Sequence, residues 1–269
     1  QKSSQNDLLE DAIRRVHARG KRVVAIIDMY APVYIQHHPA VAALSFDGQR
    51  SEEQVCFAEF LEGEPGRNII EMISYLARNY NLDGISLTEC EYNRFCYDDR
   101  CLRSFTNYTH SKEWPRKFLS GVIDRHSPLI GEWRSRLLAQ FMKEAADSVH
   151  HYGQSLYVDV PLHYDRMEED GLTSGLYLPY ILNVADAVIV WDYFYLDGRA
   201  PETSREVAEY LTTKFDPRRI IISFGLWGDG NRLPADELSR ALTASIQGGA
   251  QKFWITPNHL MTEKHWEGI

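Results

Sequence analysis

Apolar residues along the chain follow two alternating patterns. One repeats apolar positions every three or four residues, as in residues 7–18, and predicts amphipathic helices. The other consists of short continuous apolar runs, which are typical of parallel strands buried on both faces. The runs predict six strands, at residues 22–30, 84–89, 155–161, 186–194, 219–227 and 252–257. Helical patterns precede most of them, at residues 7–18, 69–77, 133–149, 202–213 and 234–247.

This alternation predicts parallel βα units, in either an open doubly wound sheet or a closed barrel. No glycine-rich phosphate-binding turn follows the strand at residues 22–30, which argues against the nucleotide-binding form of the open sheet. Polar and aromatic residues recur instead at the carboxyl ends of the strands, where barrels gather their active sites. We therefore predict an α/β fold of the TIM-type (β/α)8 barrel class, with residues 1–269 as a single domain.

The predicted strands are two short of a complete barrel of eight. The chain begins with a helix that leads into the strand at residues 22–30, so we expect the first two βα units to precede residue 1. A partial barrel completed by another chain is the alternative.

Charge and hydropathy exclude some partners. The net charge of −9 argues against nucleic acid or an anionic membrane surface as the main partner. No run approaches the ~20 apolar residues needed to cross a bilayer, so no membrane span is predicted. Aromatic residues make up 12% of the chain, which suits a cleft lined with flat faces, although core packing also uses aromatic side chains.

Cysteine and histidine spacing does not predict a metal site. Cys90, Cys96 and Cys101 lack the Cys-x-x-Cys spacing of zinc sites, and no histidine pair has ligand spacing on one element. We therefore predict neither a metal nor another cofactor. Cys96 and Cys101 share a polar loop in which a local disulfide can close, and Asn107 begins an N-glycosylation triplet. These features favour a secreted, periplasmic or cell-surface protein.

Four stretches resemble the glycoside-hydrolase-like barrel family, also called family-10-like glycosyl hydrolases. They are "AIRRVHARGKRVVAI", "HHPAVAALSFDGQ", "NIIEMISYLARNYNLDGISLTECEY" and "FCYDDRCLRSF". In order, they are similar to the family's helix and third strand, its loop with a His-Pro pair, its helix and fourth strand, and its cysteine-containing loop. The likeness covers residues 7–105 and implies a barrel with glycosidase chemistry.

The sequence departs from the family on the inward face of the fourth barrel strand. Ser86 and Thr88 stand where the family has His and then Asp. Either the role of that Asp passes to Glu89 or Glu91, or the activity is lost. Two functions therefore remain open. One is a glycoside hydrolase acting on a polysaccharide or glycan. The other is an inactive carbohydrate-binding or structural barrel module of a larger extracellular protein. Both imply a carbohydrate partner.

Glycosidic cleavage usually needs two carboxyl groups, one protonated and one ionised, that face each other across a cleft. In residues 84–89, alternation turns Ser86 and Thr88 inward and turns Glu89 outward, unless a bulge or turn rotates Glu89 into the mouth. Glu91 lies in the loop that follows and can lean over the same cleft.

Two further carboxylates lie on later strands. Asp159 points inward by alternation, and an inward carboxylate is costly unless it is paired or functional. The face of Asp192 is ambiguous, because either Asp192 or its neighbours Trp191 and Tyr193 face the cleft. The candidate catalytic residues are Glu89, Glu91, Asp159 and Asp192.

Polar and aromatic side chains near the strand ends are candidates for binding a sugar, since an exposed ring offers a flat apolar face. These candidates are Asp28, Tyr30, Tyr92, His163, Trp191, Tyr193, Trp227 and Asn258.

Overall fold

Parallel strands form the main sheet of the computed structural model, which describes residues 7–92, 94–228 and 230–269. They are β1 (Val24–Asp28), β4 (Gly84–Thr88), β5 (Ser155–Pro161), β6 (Ala187–Asp192), β7 (Ile220–Gly225) and β8 (Phe253–Thr256), and they lie side by side in that order. Every neighbouring pair is parallel. The sheet of six strands curls into a half-barrel, which confirms the predicted partial TIM-type fold.

Helices cover one side of this sheet. The longer ones are α1 (Leu8–His17), α4 (Glu64–Asn79), α5 (Asp99–Thr109), α6 (Pro128–His150), α8 (Thr203–Lys214) and α9 (Ala235–Gln247). The shorter ones are α2 (Pro32–His37), α3 (Phe57–Glu62), α7 (Leu178–Ile181) and α10 (Glu263–Glu267). Side-chain caps start two of the longer helices, because the carboxylates of Asp7 and Asp98 accept hydrogen bonds from the first backbone N–H groups.

The two faces of the sheet differ in composition. Strand residues in the main core, on the helix-facing side, include Ile85, Leu87, Val158, Val160, Val188 and Val190. The inner side holds a small apolar cluster of Ala187, Ile189 and Ile221, packed against Tyr157, Trp191 and Trp254. Alternation along each strand sorts the side chains, so Ser86, Asp159 and Ser223, which interrupt apolar runs, point to the inner side.

A short antiparallel hairpin, β2 (Ala42–Leu44) with β3 (Arg50–Val55), was not predicted. Its turn contains Asp47 and Gly48, and Gly48 takes a φ of 86°, which a glycine adopts without strain. The strands were missed because β2 is very short and β3 is mostly polar. The hairpin leads into α3 beside the carboxyl end of β1.

The cysteines, the glycosylation triplet and the helices bear on the predicted location of the protein. The predicted disulfide between Cys96 and Cys101 is not formed, since Cys56, Cys90, Cys96 and Cys101 are all free and buried. Asn107 is exposed on α5. Among the described residues, no helix combines the length and apolar character that crossing a membrane requires.

Candidate functional site

The carboxyl ends of β1, β4, β5 and β6 bring ionisable and aromatic side chains to one rim. Parallel strands in register deliver their last residues to the same edge, as with Asp28 of β1 opposite Thr88 of β4. Asp159 of β5 pairs with Ile189 of β6. Trp191 follows Ile189 by two residues and therefore lies on the same face of the sheet. The candidate site is therefore at the edge where a barrel fold places its active site.

Glu89 reaches this rim through an unusual backbone conformation. It follows β4 directly and has a φ of 59°, in the left-handed region that costs a residue with a Cβ about 1–2 kcal/mol. The side chain is half-buried and accepts a hydrogen bond from the hydroxyl of Tyr30, at the end of β1. The backbone turn thus overrides strand alternation and directs the carboxyl toward the cleft.

Burial raises the pKa of the Glu89 carboxyl above its usual range, and the hydrogen bond from Tyr30 opposes that shift. Neighbouring negative charges raise the pKa further, because they favour the uncharged form. Those charges belong to Asp28, Glu91 and Asp159. Glu89 is therefore poised to hold a proton at a higher pH than an ordinary glutamate.

Asp159 lies deeper, on the inner face of β5. Its Oδ1 accepts a hydrogen bond from Ser86 Oγ at 2.7 Å, and its Oδ2 accepts one from Trp191 Nε1 at 3.1 Å. Burial raises the pKa of the Asp159 carboxyl, and these hydrogen bonds oppose the increase by stabilising the charged form. Both oxygens are thus held in place by donors on the two neighbouring strands.

Glu91 and His163 close one side of the rim. His163 Nε2 lies 3.3 Å from Glu91 Oε1, a contact whose angle does not make a hydrogen bond. Both side chains are half-buried. They come from the loops after β4 and β5, so the contact joins the loops on either side of the carboxylates.

Aromatic rings line the other side, and we call Trp191, Tyr193 and Trp227 the aromatic wall. The rings of Trp191 and Tyr193 are stacked, 5.5 Å apart at 7°, and Trp227 meets Tyr193 edge-on at 5.4 Å. Trp227 is 38% exposed, which leaves part of the indole open to a ligand. Gly225 makes room for the wall, since a Cβ there would lie 2.8 Å from Tyr193 Cδ1 and 2.9 Å from Trp227 Cε3.

Two predicted site residues lie elsewhere. Asp192 is fully buried on the helix-facing side, beside the core positions Val188 and Val190, and accepts a hydrogen bond from the Tyr164 hydroxyl at 2.6 Å. Its neighbour Trp191 takes the inner face, because successive side chains of a strand alternate. Tyr92 is 4% exposed and donates to the Val55 carbonyl oxygen at 3.2 Å, so it belongs to the core rather than to a binding surface.

Two further predicted residues lie at the margin of the site, and one residue near the site was not predicted. Asp28 and Asn258 are exposed, at the end of β1 and just after β8 respectively. Ser223 was not predicted, yet it lies on the inner face of β7, where it pairs with Trp191 of β6. The available signal was a polar residue that interrupts the apolar run of β7.

Comparisons with known proteins bear on the fold. No protein-family model and no curated protein matches the sequence. Among solved structures, the chain is similar to the PgaB (BpsB) glycoside hydrolase domain from Bordetella bronchiseptica, with a TM-score of 0.71 and 17% identity over 94% of this chain and 76% of that one. A class V chitinase from Pseudomonas fluorescens Pf-5 has a TM-score of 0.59 and 9% identity, covering 98% of this chain and 84% of the other.

The chain also resembles part of a larger protein. Alpha-L-fucosidase isoenzyme 2 from Paenibacillus thiaminolyticus has a TM-score of 0.62 and 17% identity over 98% of this chain. The match spans only 38% of the fucosidase chain. At such identities the likeness establishes a shared barrel-type fold, and these neighbours are glycoside hydrolases.

Proposed function

We propose that this chain is a glycoside hydrolase acting on a polysaccharide or glycan. The observation that carries the proposal is a pair of carboxyl groups on neighbouring strands, Glu89 and Asp159, beside the aromatic wall. Hydrolysis of a glycosidic bond uses one protonated and one ionised carboxyl group. The fold shared with glycoside hydrolases supports the same assignment.

Glu89 serves as the general acid. Its carboxyl lies at the rim, its pKa is raised by burial, and three nearby carboxylates favour its protonated form. A proton held there is available to the oxygen of the leaving group. Glu91 supports this role through its negative charge and binds substrate together with His163.

Asp159 serves as the ionised partner, as a nucleophile or as the base that activates water. The hydrogen bonds from Ser86 and Trp191 both stabilise the carboxylate and fix its orientation. The Trp191 indole thus has two tasks, since its N–H holds Asp159 while its ring contributes to the wall on which a sugar ring packs. Tyr193 and Trp227 extend this wall toward solvent, Tyr30 orients the acid, and Asp28 and Asn258 offer polar groups to sugar hydroxyls at the margin.

A second candidate is a carbohydrate-binding barrel without catalysis. Ser86 and Thr88 stand where the resembled family has His and Asp, and the Ser86 hydroxyl donates a hydrogen bond to Asp159. In that reading, Asp159 and the wall bind a sugar and no bond is cleaved.

Release of reducing ends from a panel of polysaccharides, together with binding to the same panel, separates the candidates. A hydrolase should lose at least about a hundredfold in rate in Glu89→Gln and in Asp159→Asn, while retaining binding. Glu144→Gln, an exposed change on α6, is the matched control and should hydrolyse as the wild type does. Binding without hydrolysis by any variant would establish the second candidate. Hydrolysis that persists in both carboxylate variants contradicts the assigned pair.

A further inference from the structure

Three cysteines from distant parts of the chain meet in the core. Cys56 precedes α3, whereas Cys96 and Cys101 belong to the loop and helix that follow β4. Their sulfur atoms all lie within 4.8 Å of one another, and those of Cys56 and Cys101 are 3.3 Å apart. The three residues are at most 3% exposed. No residue of the carbohydrate site described above belongs to this cluster.

A carboxylate lies beside the group. The Asp98 side chain accepts hydrogen bonds from the backbone N–H groups of Arg100 and Cys101, both at 2.8 Å, and this fixes its position at the start of α5. Asp98 and Cys56 line the same open cavity. The cluster itself supplies three sulfur ligands, and the fourth position of a tetrahedral zinc ion is left to a ligand from this cavity.

A backbone donor points at one of the sulfur atoms. The backbone N–H of Phe57 donates to Cys96 Sγ at 2.8 Å. Donors aimed at a sulfur ligand orient it and tune metal–thiolate bonds. Burial disfavours a charged thiolate, and a cation bound between the three sulfur atoms offsets that cost.

The geometry also fits a metal better than a disulfide. A zinc ion with Zn–S bonds of about 2.3 Å places tetrahedral sulfur ligands about 3.8 Å apart. The Cys56 and Cys101 sulfur atoms are 3.3 Å apart, and no pair of the three is separated by more than 4.8 Å. A disulfide between Cys56 and Cys101 would leave Cys96 buried as an odd thiol. An open cavity lined by Cys56, Asp98 and Arg100 gives an ion a path from solvent to the cluster.

We propose that Cys56, Cys96 and Cys101 bind one Zn²⁺ ion. Thiolates select soft or borderline metals, and a tetrahedral site with three sulfur ligands favours zinc among the common ones. The ion joins the segment before α3 to the loop after β4, the loop that begins with Glu89 and Glu91. Its role is structural, because its three sulfur ligands are buried in the core and lie outside the carbohydrate site. Four residues separate Cys96 from Cys101 and the third cysteine lies far upstream, which is why sequence patterns predicted no metal.

The test measures metal content and needs no carbohydrate substrate. The full chain is stripped of metal with a chelator under reducing conditions, dialysed and titrated with Zn²⁺, and bound metal is measured by mass spectrometry of the elements. We expect one zinc per chain and a rise in Tm on binding. Substitution with Co²⁺ should give the intense absorption of thiolate-to-cobalt charge transfer and of tetrahedral cobalt.

Cys96→Ser should lose the cobalt charge-transfer intensity of one thiolate and bind zinc at least about tenfold more weakly. Cys90→Ser is the matched control, since Cys90 is equally buried but lies outside the cluster. If Cys96→Ser does not fold, the wild-type titration alone decides. The proposal fails if reduced wild-type chain binds no stoichiometric zinc while keeping four reactive thiols. It fails equally if the native chain, purified without reductant, contains a Cys56–Cys101 disulfide, shown by a mass lower by two hydrogen atoms.

Discussion

Replacing Asp159 with Asn should stabilise the fold at neutral pH, although it removes a proposed catalytic group. The folded protein raises the pKa of Asp159 mainly through burial, so it favours the protonated, uncharged carboxyl. A carboxyl whose pKa is raised on folding contributes its stability below its unfolded pKa, near 3.9. That contribution is lost as the pH rises through the folded pKa.

The size of the effect follows from the two competing interactions. The hydrogen bonds from Ser86 and Trp191 favour the charged form, but burial outweighs them, since the net shift is upward. At neutral pH, each tenfold rise in the proton affinity of this carboxyl on folding corresponds to about 1.4 kcal/mol of folding free energy lost, or roughly 3–6 °C in Tm. In Asp159→Asn the amide keeps both contacts, because its oxygen accepts from Trp191 Nε1 and its NH2 group donates to Ser86 Oγ.

Thermal unfolding by circular dichroism, from about pH 4 to about pH 8, measures the difference between Asp159→Asn and the wild type. The difference should be small at the acid end and grow in favour of the variant as the pH rises. The exposed substitution Glu144→Gln should show no such growth. A variant that is less stable at neutral pH, or a difference that does not change with pH, would refute the reasoning, because neither follows from a buried carboxylate.

The other predictions concern the rim, the aromatic wall and the core. Tyr30→Phe removes a hydrogen bond that lowers the pKa of Glu89, so the basic limb of the pH–activity profile should move to higher pH. Gly225→Ala places a Cβ 2.8 Å from a ring of the aromatic wall, which should weaken carbohydrate binding by up to about tenfold in calorimetric titration. Phe105→Ala empties a fully buried site and should lower the free energy of unfolding in urea by about 3–5 kcal/mol. Tyr108→Ala, on the exposed face of the same helix, is its control and should cost well under that amount.

Each of these three predictions has an outcome that would contradict it. A basic limb that moves to lower pH in Tyr30→Phe would contradict the assignment of Glu89 as the acid. Unchanged binding in Gly225→Ala would show that the wall lies outside the ligand site. Similar losses of stability in Phe105→Ala and Tyr108→Ala would contradict the packing of α5 against the core.

Much of the fold could be predicted from the sequence because burial on both faces leaves a strong signal. The strand predicted at residues 155–161 matches β5 at both ends, and the helix predicted at residues 133–149 lies within α6, which begins earlier, at Pro128. The other strands were predicted one or two residues too long at one or both ends, as with residues 186–194 for β6, Ala187–Asp192. The hairpin β2–β3 was missed, since its strands are short and its second strand carries mainly polar residues.

The candidate site was predictable only in part. The inward direction of the Asp159 side chain follows from strand alternation, a local rule that can be applied to the sequence alone. Glu89 does not, because alternation turns it outward and only a left-handed backbone directs it to Tyr30. Asp192 was ambiguous, and packing of Trp191 on the inner face turned Asp192 toward the helices.

The sequence by itself determined the order of βα units, the inner and outer faces of most strands and the rim at which polar side chains collect. These properties depend on neighbours within a few residues, so periodicity records them. Tertiary structure alone decided which side chains meet across that rim and which cysteines meet in the core. Cys56 lies 45 residues from Cys101, and Ser86 lies 73 residues from Asp159. Contacts at such separations arise when strands pair and loops close over them, and no local pattern in the chain encodes them.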